Sequence, residues 1–188
     1  MKKELINAII SKARNYNGPL EDMDLSRISD LVFEERCNRK STTFRSSRTS
    51  SRSIRDVEVD KILMEAQNSL SDDTTKKLVN YYQEKYEIDN KKIKEDSGIS
   101  RSTLSNINKD RAISKKTLFQ VALGLKLSIE ESYKLLESSG YTFNPTDIFD
   151  KIVYVCIIKM INNLDDVNEV LLTAGYDEDE IFKDHLGD

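Results

Sequence analysis

Serine recurs at positions 100, 114 and 128, and behind each one apolar residues return at helical spacing. A serine at such a place favours a helix start, because its hydroxyl accepts from a backbone amide that the helix leaves unpaired. Starts this close together allow only two or three turns each, and helices so short are stable only when packed. Leu104 and Ile107 follow the first start. Leu118, Val121, Ala122 and Leu125 follow the second, and "IEESYKLLESSGY" follows the third, where Glu131 completes a capping box. Upstream, Ser71 opens a helix near 72–87 whose stripe is Leu78, Val79, Tyr82 and Tyr86, and Asp89 or Asn90 caps a short helix around Ile93. Gly98 ends that short helix, since glycine takes the left-handed conformation at low cost. Two later stretches, "LLESSGY" (135–141) and "LLTAGY" (171–176), read as helix stops, with Tyr141 folding back on Leu136 and Tyr176 on Leu171.

Two prolines and six glycines in 188 residues disfavour a many-turned β fold, and 33% charged against 38% hydrophobic residues suits small helical cores with wide solvated faces. The expected class is all-α. Before the region above, helices are expected at about 2–16 and 24–36, parted by "NGP" (17–19), and at 57–70. The N-terminal one reads as an amphipathic helix rather than a signal peptide, and the longest oily run, "IFDKIVYVCIIKMI" (148–161), is too short to span a membrane. That run is apolar on most sides, which points to a core helix in preference to a dimer seam. A cytoplasmic protein is expected. Cys37 and Cys156 form neither a disulfide framework nor a zinc site, and His185 sits three residues from the end. No phosphate-loop, dinucleotide, nucleophile-elbow or zinc-protease string occurs, so no catalytic residue, metal or cofactor is expected.

Charge is distributed in blocks. Residues 36–55 carry seven basic and no acidic groups, and residues 89–128 carry nine and four. These islands of +7 and +5 lie in a chain of net charge −4, whose last sixty residues (129–188) hold four basic and fourteen acidic groups. The first island, rich in Ser, Thr and Arg, buries too little to offset its ordering entropy and reads as a flexible linker, 36–56. Serines close behind its arginines, within 46–53, would change its charge if phosphorylated.

The second island has a sharper pattern. In "DSGISRSTLSNINKDRAISKKT" (96–117) a glycine turn joins two short helices, which describes a helix-turn-helix. Leu104 and Ile107 point inward by spacing, leaving Arg101, Ser102, Ser105 and Asn106 on the outward arc. Arginine pairs with guanine, asparagine with adenine, and serine with bases or phosphates. Ser100 leaves the positive end of the helix open to a phosphate, and Lys91, Lys92, Lys109, Arg111, Lys115 and Lys116 flank the face as backbone contacts. Six neutralised phosphates would give log K a slope near −5 against log salt.

With Ile93, then Gly98-Ile99-Ser100, then "RSTLSNI", then "TLFQVALGLKLS" leading into "IEESYKLL", residues of about 72–137 resemble the Cro/C1-type, or XRE-family, helix-turn-helix domain. The resemblance implies a five-helix domain whose third helix, 101–108, enters the major groove. Lys94 stands where the family usually has alanine, and Asn108 and Asp110 replace its common glutamate and glycine. The expected organisation is an N-terminal helical segment (1–35), the linker (36–56), the helix-turn-helix domain (57–140) and a C-terminal helical extension with an acidic tail (141–188). The expected function is a sequence-specific DNA-binding transcriptional regulator of bacterial or phage type. Its partners would be double-stranded DNA, a second copy of the chain, and a protein bound through the flanking helices. The competing reading is a non-enzymatic adaptor or inhibitor that uses the same scaffold to bind protein.

Overall fold

Short polar side chains set most helix starts. In the computed structural model, which describes residues 1–40 and 74–183, Asp89, Ser100, Ser114, Ser128, Asp147 and Asn163 each accept a hydrogen bond from the first turn of the helix they precede. The helices are α1 (Lys3–Asn15), α2 (Ser26–Lys40), α3 (Thr75–Lys85), α4 (Asn90–Ser97), α5 (Arg101–Asn108), α6 (Lys115–Gly124), α7 (Ile129–Glu137), α8 (Ile148–Ile158) and α9 (Leu164–Thr173). A short 3-10 turn, Leu20–Asp22, lies between α1 and α2. Among the described residues there is no strand, so this part of the chain is all-α, and no described helix is long and apolar enough to cross a membrane.

The stops follow the same local chemistry. Gly98, Gly140 and Gly175 all have positive φ. Behind the last two, the amides of Tyr141 and Tyr176 reach back to the carbonyls of Leu136 and Leu171, at 3.0 and 3.2 Å. Ser128 and Glu131 form the reciprocal capping box at the start of α7.

Two helices carry the centre. Every residue of α6 from Leu118 to Gly124 is buried, and so is every residue of α8 from Asp150 to Ile157. α4 lies along α6, α5 touches α3, and α3 reaches α7. α7 and α9 connect this group to α8. α1 packs on α2, α8 and α9, so the N-terminal segment and the C-terminal extension share a core. α8 is thereby covered within the chain by α1, α7 and α9. Its Cys156 is fully buried, and burial pushes the thiol up to about 12.

Several expectations shift by a turn or meet a different partner. The helix expected at 72–87 begins at Thr75, and its N-cap Thr74 makes no side-chain bond to it. Asp110 instead accepts the amide of Lys76, at 3.4 Å, from across the fold. Residues 36–40, assigned to the linker, continue α2. The remainder of the Arg/Ser tract, the helix expected at 57–70, Ser71 and His185 lie outside the described residues.

Candidate nucleic-acid interface

α5 is eight residues long, too short to persist without tertiary support. Its inward side supplies that support, because Leu104 and Ile107 are buried. Burying two such side chains is worth about 1.5–3 kcal/mol each, more than the roughly 1 kcal/mol of a serine cap, so packing fixes which way the helix faces. The opposite arc is left to solvent. Arg101 and Ser102 are exposed, and Ser105 and Asn106 are half-buried.

The start of α5 is a cluster of hydroxyls. Ser100 Oγ accepts the Thr103 amide at 3.0 Å and lies 2.7 Å from Ser102 Oγ and 2.9 Å from Thr103 Oγ1. Thr103 joins this cluster through the cap itself, a role that helical spacing alone does not assign. At the other end, Arg111 folds back. Its amide bonds the Asn106 carbonyl at 3.0 Å, and its guanidinium reaches Asn106 Oδ1 at 3.4 Å. The side chains of Arg101 and Lys109 make no hydrogen bond or ion pair among the described residues, and both residues are exposed.

The flanking cations divide into two groups. Lys91 and Lys92, at the start of α4, pair along the helix with Glu95 at 3.8 Å and Asp96 at 2.8 Å. Both lysines are exposed, so these pairs are weak and a phosphate can displace them at small cost. Lys109 and Arg111 also face solvent. Lys115 and Lys116 do not belong with them. The Lys115 ammonium donates to Asp150, whose side chain is only 3% exposed, and the Lys116 ammonium donates to the carbonyl of Glu180. Burial, followed by the nearby Lys183, lowers the Lys116 pKa below the usual lysine value. Their partners lie 35 and 64 positions away in sequence, so no local pattern could reveal the engagement.

Asp110 is exposed between Lys109 and Arg111, two of the candidate phosphate contacts. It takes a left-handed backbone, φ 50°, and aims a carboxylate oxygen at the first turn of α3, the positive end of that helix. The basic pair Lys76-Lys77 therefore starts next to the loop that follows α5, inside a sequence block of net negative charge that hides it. Lys94 is half-buried on α4.

Comparison with protein-family models, with curated proteins and with solved structures finds no match. The geometry of this surface stands by itself.

Proposed function

We propose that this chain is a DNA-binding transcriptional regulator of bacterial or phage type, a Cro/C1-like helix-turn-helix protein that inserts α5 into the major groove. The observation that carries the reading is the division of α5, with Leu104 and Ile107 held in the core while Arg101 and Ser102 stand in solvent beside half-buried Ser105 and Asn106. A reading helix needs that division, because it must be anchored from behind and present donors and acceptors in front. Arg101, Ser102, Ser105 and Asn106 take the base edges. Ser100, Lys91, Lys92, Lys109 and Arg111 take phosphates. A second copy of the chain would supply a second α5 one helical turn along the same DNA, about 34 Å away.

A second reading has its own support. With Lys115 and Lys116 engaged inside the protein, the cationic rim is smaller than the sequence implies, which favours an adaptor that binds protein on the same scaffold. Titration of a random duplex at several salt concentrations separates the two. Four cations, Lys91, Lys92, Lys109 and Arg111, give a slope of log K against log salt of about −4, since each neutralised phosphate contributes roughly −0.9. Passage through heparin at low salt, with no duplex binding, would instead favour the adaptor.

A further inference from the structure

Residues 177–183, "DEDEIFK", pass over the beginning of α6 as an acidic strap. The strap is fastened at its far end. Phe182 is buried and sits edge-on to Phe149, with ring centres 5.4 Å apart. Its amide and carbonyl both bond the Asn168 carboxamide, at 3.0 and 2.9 Å. Further back, the Glu180 carbonyl accepts the Lys116 ammonium. One buried side chain then ties the strap to the candidate reading surface. The Gln120 amide nitrogen donates to the Lys183 carbonyl at 2.9 Å and to the Ser97 carbonyl at 3.1 Å. Ser97 is the last residue of α4, directly before the turn that delivers Ser100 and Arg101.

The strap holds itself in place with backbone carbonyls, Ile181 and Phe182. Three of its carboxylates, on Asp177, Glu178 and Asp179, are exposed and make no hydrogen bond or ion pair among the described residues. The Asp179 and Glu180 carboxylates act on the Lys116 ammonium at the start of α6, and they repel any phosphate that comes within the screening length of about 8 Å in physiological salt.

We infer that this strap is an intramolecular competitor of DNA, latched by Phe182 and Gln120, which occupies Lys116 and repels phosphates from the start of the reading helix. The inference rests on the DNA-binding reading. Lys116 is engaged while the strap is down, Lys115 being held separately by Asp150 on α8, and the strap's carboxylates set an electrostatic threshold that only a well-matched duplex overcomes. The chemistry competing with the strap is a phosphodiester backbone.

The test compares the full chain with two triple variants of equal net charge. In one, Asp177→Asn, Glu178→Gln and Asp179→Asn neutralise the strap while leaving Ile181, Phe182 and Glu180 in place. In the other, Glu4→Gln, Asp30→Asn and Glu34→Gln remove three exposed charges from α1 and α2. Dissociation constants for a random 20-base-pair duplex are measured at about 0.1 M salt, with circular dichroism confirming equal helix content. The strap variant should bind about tenfold tighter than the unaltered chain, and the control less than twofold tighter. Equal affinity of the strap variant and the unaltered chain, or an equal gain by the control, overturns the inference and leaves the DNA reading standing. Failure of all three chains to bind any duplex overturns both.

Discussion

Gly124 on α6 and Ser97 on α4 meet so closely that a Cβ added at Gly124 would lie 2.6 Å from Ser97 Cβ and 2.8 Å from its backbone nitrogen. Both residues are buried, and the atoms in the way include backbone that cannot rotate aside. Gly124→Ala therefore forces α4 away from α6, and with it the turn that carries Arg101. Overpacking of this kind costs about 1–3 kcal/mol. Thermal unfolding should show Gly124→Ala several degrees below the unaltered chain. An unchanged midpoint would mean that the two helices are not in this contact.

The pair Lys115–Asp150 joins α6 to α8. Burial raises the Asp150 pKa, while Lys115 and the Asn144 amide pull it down. Replacing Lys115 by methionine strands a carboxylate in the core. The expected cost at neutral pH is about 3 kcal/mol, the low end for a stranded buried charge because Lys115 keeps 26% exposure. Without the lysine the folded-state pKa of Asp150 moves further above the unfolded one. The native state then holds the proton more tightly, so the deficit is full at neutral pH and shrinks as the solution is acidified. Denaturant titrations of Lys115→Met at several pH values measure this, and a deficit that grows on acidification would contradict it.

Glu131 works the other way. Burial disfavours its charge, but Lys85 at 2.6 Å, the Ser128 amide at 2.9 Å and the Tyr86 hydroxyl at 2.7 Å outweigh that and hold the carboxyl below its usual 4.5. A depressed folded pKa gives stability that is complete above the unfolded value and disappears as pH falls through the folded one. The unaltered chain should thus melt higher than Glu131→Gln at about pH 6–7, and the two should converge as acidification carries the solution below the usual carboxylate range. A gap independent of pH would show that the ionised carboxylate is not the source of the stability.

Asp110 supplies α3 with the cap that Thr74 does not, and Asn and Asp tolerate a left-handed backbone better than other side chains. Asp110→Ala should cost about 1 kcal/mol, and Asp110→Asn less than half of that, because the amide oxygen still accepts. Chemical denaturation of the two variants checks this, and an Asp110→Ala cost no larger than that of Asp110→Asn would contradict the cap.

Local signals in the sequence carried far, and long-range ones did not. Ser100, Ser114 and Ser128 are legible as caps because a cap and its amides lie within three residues, and Gly98 is legible because few residues share its backbone. The inward placing of Leu104 and Ile107 follows from helical spacing alone. Asp110 capping α3 spans 34 positions, Lys116 meets a carbonyl 64 positions on, and Lys151 is buried with its ammonium on the carbonyl of Tyr16, 135 positions away. Charge counts mark such lysines as solvated or anion-binding. Only the fold shows that they hold α6 and α8 to the rest of the protein, which is why the candidate interface has fewer free cations than the sequence suggests.

The most direct measurement concerns the outer face of α5. Selection from random duplexes is run in parallel with the unaltered chain and with Arg101→Ala/Asn106→Ala, whose helix content is verified by circular dichroism. Each lost bidentate contact should weaken discrimination by about 1–3 kcal/mol at its base pair. The account predicts that the unaltered chain enriches a defined site and that the double variant still binds DNA but enriches none. A double variant that selects the same site with the same preference would contradict the claim that this face reads bases.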